Sequence, residues 1–378
     1  MKFISLQDNL KKGISVVSHV TSKNINLPIL NNILIKAKDN NIELLATNLE
    51  IGISHTVRGK IEKEGEFTVD SKIINDYISL LPSEKVSIEK KEEELVVECS
   101  NYKTKIKGES AKEFPLLPTI NKNNYLTVSI DEFKKALSQV VFAVSSSEAR
   151  IELAGILFSF ENNHLTLVAT DSYRLAEKQA KINKFNKTDD FSEDKIIVPA
   201  RTIQEVLRAV SNLNDDLGST EKEITIYLSE NQIMFSFDST EIISRLISGQ
   251  YPDYKQIIPQ KSETKVIVNR QEFVRAIKAS AIFSKSGIND IHLLVDIKKN
   301  ELVVSSISGQ TGESVINLTG DISGKDNDIT LNFRYLLDGL NNINTEKINL
   351  RIVNNNTPCL VRGDKEESYL YIVMPIRQ

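Results

Sequence analysis

Apolar positions along this chain switch between two periods, and the switch comes round three times. Residues 3–20 (FISLQDNLKKGISVVSHV), 126–144 (LTVSIDEFKKALSQVVFAV) and 265–283 (KVIVNRQEFVRAIKASAIF) each open on a short alternating run and pass into helical spacing. A polar residue stands at each switch, and Asp8, Asp131 and Asn269 are expected to cap the three helices. Alternating runs follow at 33–50, 156–173 and 292–309. Each is broken by a pair that predicts a hairpin turn: Asn40-Asn41, Asn162-Asn163 and Lys299-Asn300. A second helical stretch lies within 67–82, 196–210 and 329–343, and paired strands close each copy at 85–106, 223–246 and 347–375. Ala46-Thr47, Ala169-Thr170 and Ser305-Ser306 occupy matching places, as do Val69, Val198 and Leu331.

This order predicts an α+β fold of three similar domains, each with two helices packed on antiparallel sheet. A chain of 378 residues is long enough for more than one core. Proline-bearing stretches, EFPLLPTINKNN at 113–124 and GQYPDYKQIIPQK at 249–261, mark the expected joints. The domains are therefore expected at 1–122, 123–254 and 255–378.

Charge changes the picture through its placement. The net charge is −4, which argues against a simple basic nucleic-acid binder. The helical stretches 7–23, 71–80, 131–140, 201–210, 270–285 and 333–339 nevertheless hold 13 basic and 7 acidic residues. They carry +6 and the remainder −10. If those helices share one surface, that surface attracts phosphate. The bland alternative is that Lys and Arg, as good helix formers, enrich on exposed helix faces.

Catalytic signatures are missing from the sequence. There is no HExxH, no GxSxG and no Walker loop, since GDISGK at 320–325 has the wrong spacing and Asp326 follows its lysine. His19, His55, His164 and His292 are scattered, and Cys99 and Cys359 make no metal-ligand spacing. No cofactor and no metal are expected. Two cysteines suit a reducing, cytoplasmic setting, and MKFISLQDNLKKG lacks the apolar core of a signal peptide. No run of 18 apolar residues predicts a membrane span.

The segment YIVMPIRQ at 371–378 is unusually apolar, and reads either as a closing strand or as a segment offered to a partner. MKF (1–3), LPIL (27–30), VATDSYRL (168–175), YPDYKQIIP (251–259) and VMPIR (373–377) decide more. In that order and at those spacings, the whole chain resembles the bacterial DNA polymerase sliding clamps, the beta subunits of the replicative polymerase III.

The resemblance implies a non-enzymatic processivity factor. Two protomers would join head to tail into a ring, with helices lining a hole around double-stranded DNA and sheets outside. Contacts to phosphate without base readout would give no sequence preference. Implied partners are the replicative polymerase, an ATP-driven clamp loader, and other polymerases and repair proteins that insert short apolar peptides into a pocket. Carried onto this chain, the pocket takes Leu153, Thr170, Ser172, Tyr173, Arg174 and Leu175 on one wall. Pro252 and Ile257 come from the linking segment. Ile372, Met374, Pro375, Ile376 and Arg377 complete it, with Asn332, Tyr335 and Pro358 nearby, and Arg150 and Arg377 able to bond a peptide carbonyl or carboxylate. Tyr173 stands where the family often has His. The strand is expected to run through about Val373, with a recognition tail beyond it.

On the DNA side the resemblance implies Lys23 and Asn24 in a loop, and Lys72, Arg201 and Arg208 on helices. Lys11, Lys12, Lys134, Lys135, Arg275 and Lys278 share those basic helix faces. For the dimer joint, Tyr77, Leu81 and Ile106 would meet Ile282 and Phe283 of the other protomer. Two rivals stay open on the residues alone. One is a repeat scaffold that binds proteins without encircling DNA; the other is an enzyme whose site converges from distant segments.

Overall fold

The computed structural model describes residues 1–21, 26–147, 149–161, 163–188, 193–212, 222–285 and 287–377. Six α-helices stand among them: α1 (Gln7–Ser18), α2 (Ser71–Leu80), α3 (Ile130–Ser138), α4 (Ala200–Ser211), α5 (Arg270–Ala281) and α6 (Phe333–Asn341). They fall two to a copy, where the helical period predicts them. Each buries one stripe: Leu10, Ile14 and Val17 of α1, Phe133 and Leu137 of α3, and Leu336 and Leu340 of α6 are fully buried. Each such side chain contributes about 1.5–3 kcal/mol of apolar burial.

The expected caps hold in one case of three. Asn269 caps α5, its side chain accepting from the N–H groups of Gln271 and Glu272. Asp8 and Asp131 instead lie inside the first turns of α1 and α3, and the N-cap of α1 is Leu6. There the strand runs directly into the helix, so the backbone turns earlier than the polar residue suggests. A carboxylate in the first turn still complements the positive end of the helix dipole. Two caps went unread. Asp70 accepts from the Ile73 N–H at 2.8 Å, and Asn332 accepts from Arg334 and Tyr335.

The hairpin turns fall where the polar pairs predict them. Asn40, Asn163 and Asn300 take φ values of 61°, 61° and 54°, a left-handed conformation that asparagine tolerates. Asn162 lies outside the described residues.

The chain packs into two compact units. One comprises residues 1–130, 183–193 and 201–246; its strands form a single antiparallel sheet of fourteen, with α1, α2 and most of α4. The other comprises 131–182, 194–200 and 247–378; its strands form sheets of nine and four, with most of α3 and all of α5 and α6. The second sequence copy thus contributes to both. Strand pairing is the reason. Thr240–Arg245 completes a ladder with Ile51–Val57 in the first unit, and Tyr369–Val373 completes one with Arg174–Lys181 in the second. Each pairing covers a strand edge whose backbone groups would otherwise be exposed.

The closing strand Tyr369–Val373 is buried along its whole length, not on alternate residues. α6 covers one face: a Cβ on Gly339 would lie 2.2 Å from the Tyr371 ring, so only glycine allows that approach. On the other face Leu370 and Ile372 pack with Tyr254, Tyr251 and Ile258. A strand sandwiched this way has no polar side to show.

Candidate functional site

The site is built from a turn, a helix and a tail within the second unit. The turn is Thr170–Arg174. The Thr170 hydroxyl donates to the Arg174 carbonyl at 2.6 Å and accepts from the Ser172 N–H at 3.1 Å. Asp171 Oδ1 accepts from the N–H groups of Tyr173 at 2.9 Å and Arg174 at 3.0 Å. Ser172 sits at φ 78°, held there by these four bonds.

Arg174 joins this turn to its surroundings. Its guanidinium bonds Asp171 Oδ2 at 3.0 Å, pairs with Asp338 on α6, and donates to the Phe142 carbonyl at 2.9 Å. It also lies 4.7 Å from the centre of the Tyr335 ring and 5.6 Å from that of Phe142. Burial alone would lower its pKa, but Tyr371, Asp338 and Asp171 outweigh that and raise it. The charge is therefore permanent and internally matched. Tyr335 is in turn fixed by the Tyr371 hydroxyl, which donates to its carbonyl at 2.7 Å, and by the Asn332 cap at the start of α6. Burial raises the Tyr371 pKa, so that donor keeps its proton.

Over this base lies an open aromatic pair. Tyr173 stacks on Tyr335 with ring centres 6.3 Å apart and planes 18° from parallel, and Tyr173 is 62% exposed. The tail runs alongside. Met374 N–H donates to the Tyr173 carbonyl at 2.8 Å, Ile376 N–H donates to the Thr330 carbonyl at 2.8 Å, and Pro375 bridges to Leu331. Met374, Pro375 and Ile376 are half-buried and Arg377 is exposed. The result is an apolar ledge beside fixed aromatic rings. Such a ledge can receive a short apolar segment, and a methionine within it can repack around different ones.

The remaining expected residues divide by burial. Leu153, Leu175 and Ile372 are core side chains that floor the site and offer it no surface. Thr170 and Asn332 hold the backbone, as above. Pro252 is half-buried and Ile257 exposed on the linking segment. Cys359 pairs with Val373, which sets half-buried Pro358 beside Met374. Arg150 is exposed, bonded to Glu152 at 2.9 Å and to the Ser172 hydroxyl at 3.3 Å. Sequence reasoning missed Asp171, Phe142, Asp338 and Tyr371. The carboxylate three residues before Arg174 was the one readable signal.

The basic positions are less uniform than their sequence. The helices as formed hold eleven basic and seven acidic residues, a net +4. That is smaller than expected because Lys285 lies beyond α5 and Lys23 lies outside the described residues, as does Asn24. Lys11, Lys72, Lys134, Arg201, Arg275 and Lys278 are exposed. Lys12 is paired with Asp238 at 3.2 Å and Lys135 with Glu366 at 3.9 Å. Arg208 is half-buried against Glu205, and burial pulls its pKa down to about 10. It is an internal charge, contrary to the expectation of a surface contact. A cavity of about 900 Å³ in the first unit runs along Lys11, Lys12, Arg58 and Lys222, with Asp8, Glu223 and Asp238 opposing them.

For the apolar joint, Leu81 and Ile106 are core side chains, since both are buried. The exposed residues on that side are Ile73 and Leu80, the latter 80% exposed, beside half-buried Tyr77 on α2, with exposed Tyr102 on the last strand of the copy. The resemblance implied Leu81 alone, but α2 ends at Leu80, which stays exposed while Leu81 turns inward. Ile282 is 72% exposed and Phe283 half-buried just after α5.

Three successive copies of one α+β pattern, sharing ladders and ending in a tail laid on a turn, define a three-domain clamp fold. Residues 1–118, 127–253 and 255–377 match the N-terminal, central and C-terminal domains of the DNA polymerase III beta subunit. The chain belongs to that family. It is 28% identical to the beta sliding clamp of Bacillus subtilis over the full length of both, and 27% identical to that of Synechococcus elongatus over all of this chain and 99% of the other. Its fold matches the crystal structure of the DNA polymerase sliding clamp from Bacillus subtilis with a TM-score of 0.91 and 28% identity, covering all of this chain and 99% of that one. A putative DNA polymerase III beta subunit from Eubacterium rectale matches with a TM-score of 0.90 and 28% identity over both chains entire.

Proposed function

We propose that this chain is a DNA sliding clamp: two copies close head to tail around duplex DNA and tether the replicative polymerase. The domains are read as 1–122, 123–254 and 255–378. Exposed helix cations meet phosphate without base contacts, so the ring slides and retention is topological. An ATP-driven loader, other polymerases and repair proteins use the same apolar ledge by short peptides. The chain supplies no catalysis and works in the cytoplasm. No helix among the described residues is long and apolar enough to cross a membrane.

The observation that carries the reading is the tail, Met374 to Arg377, hydrogen-bonded to Tyr173 and Thr330 beside an exposed tyrosine pair, in a chain related to sliding clamps along its whole length. The test joins ring and ledge. Loaded onto a primed circle, the protein is expected to stay bound and to escape when the circle is linearised. Removing Met374–Gln378 is expected to abolish polymerase binding and to leave a dimer. Equal retention on circular and linear DNA would favour a scaffold that binds DNA from one side.

A further inference from the structure

The first helices of the first two copies carry the same residues, Asp8-x-x-Lys11-Lys12-x-x-Ser15 and Asp131-x-x-Lys134-Lys135-x-x-Ser138. In both, the two lysines behave differently. Lys11 and Lys134 are exposed and form no ion pair among the described residues, whereas Lys12 and Lys135 each reach a carboxylate. Those carboxylates occupy matching places. Asp238 stands in the turn between strands Gln232–Phe237 and Thr240–Arg245, the last hairpin of the second copy. Glu366 stands in the turn between Cys359–Gly363 and Tyr369–Val373, the last hairpin of the third, where it also holds Lys178 at 3.0 Å. Each second lysine therefore ties the first helix of its copy to the last hairpin of the next.

The third copy continues the pattern on one side only. Counting from the buried Leu10, Phe133 and Phe273, the residue matching Lys12 and Lys135 is Arg275. It is exposed, and no carboxylate meets it among the described residues. The last hairpin of the first copy, Glu94–Cys99 with Tyr102–Glu109, is the one that no first-helix cation reaches among the described residues. Its turn is Ser100-Asn101. Ser100 has φ 50°, as Asp238 has, but bears a hydroxyl where Asp238 bears a charge. Glu98, the nearest carboxylate before that turn, is tied to Lys103 at 2.6 Å.

We propose that Lys12 and Lys135 are staples of the joints within the chain, and that the joint between two copies lacks the staple. There Arg275 faces the Ser100-Asn101 turn of a second copy and finds no carboxylate. The ring is weakest where it must part, and a single charge at position 100 would strengthen it. This rests on the head-to-tail dimer described above.

The test is sedimentation over a dilution series. Ser100→Asp is expected to lower the dimer dissociation constant by about two- to fivefold, the range of one exposed ion pair. Aspartate already occupies the matching φ at Asp238, so the turn accepts it. Adding Arg275→Ala should cancel the gain. The reversed pair, Ser100→Lys with Arg275→Glu, should restore it, while Lys12→Ala alone should leave the constant unchanged. A Ser100→Asp dimer no tighter than wild type, or a gain that survives loss of Arg275, would overturn the proposal with the dimer intact. A wild-type chain that stays monomeric throughout removes the dimer reading itself.

Discussion

The turns at 47–51 and 170–174 share a backbone path and the threonine and Asn/Asp hydrogen bonds that hold it, and differ in what their last residue can reach. Thr47 donates to the Ile51 carbonyl at 2.9 Å as Thr170 does to that of Arg174. Thr47 also accepts from Leu49, and Asn48 Oδ1 accepts from Glu50 and Ile51, just as Thr170 and Asp171 serve Ser172, Tyr173 and Arg174. Leu49 and Ser172 have φ values of 76° and 78°. The Glu50 carbonyl takes the Arg245 N–H where that of Tyr173 takes the Met374 N–H. What differs is reach. Ile51 offers no charge, and Asn48 Nδ2 is left buried without a partner among the described residues. Arg174 fills that role in the second unit and extends to α6. A duplicated frame thus holds the chain in both places, and a few substitutions give one of them a cation that reaches α6.

The same two ladders differ again four residues on. His55 is buried in the first unit, its Nδ1 2.8 Å from the Thr240 hydroxyl. At the matching place in the second unit Lys178 is buried and bonds Glu366 at 3.0 Å and Ser368 at 2.7 Å. One ladder is closed by a neutral ring, the other by an ion pair.

Breaking the ion pair should have the largest effect. Lys178→Met leaves Glu366, whose side chain is only 14% exposed, with only Lys135 at 3.9 Å to offset it, and should cost about 3 kcal/mol or more in denaturant unfolding. The neutral ring predicts a pH effect of the next size. Burial, helped by the nearby Lys12, lowers the His55 pKa from 6.5 to about 4. Below pH 6.5 the unfolded chain takes up a proton that the folded chain refuses. Stability should therefore fall between pH 6.5 and 4, by on the order of 3 kcal/mol, and His55→Gln should flatten that part of the profile. The smallest change would convert one turn into the other. Arg174→Ile should leave the backbone turn intact and weaken binding of a polymerase-derived apolar peptide by about tenfold, since Tyr335 loses the cation beneath it. Unchanged affinity in calorimetry would mean that the tyrosine pair holds without it.

Much of this was legible in the residues because repetition made weak signals agree. The helical stripes, the asparagine turns and the matched Thr47 and Thr170 are local, and each appears more than once. Ser306, in the place of those threonines, instead reaches the Asp290 carbonyl at 3.4 Å, so even a repeated residue type did not secure a repeated bond. The tail was readable by its composition. Asp338, Phe142 and Tyr371 were not, because they meet Arg174 from three distant segments and follow no spacing. The burial of Arg208 was likewise invisible, since Glu205 one turn away reads equally well as an exposed pair. Leu80 and Leu81 are adjacent, and only the end of a helix sends one inward.

The shared ladders have a mechanical consequence. Ile51–Val57 with Thr240–Arg245, and Arg174–Lys181 with Tyr369–Val373, each register five residue pairs between consecutive copies. A pull along those strands loads all the rungs in shear at once, so the copies resist sliding past one another better than any single contact would suggest. Strain applied to the polypeptide is carried through backbone, and has to find relief somewhere the backbone ladder does not run.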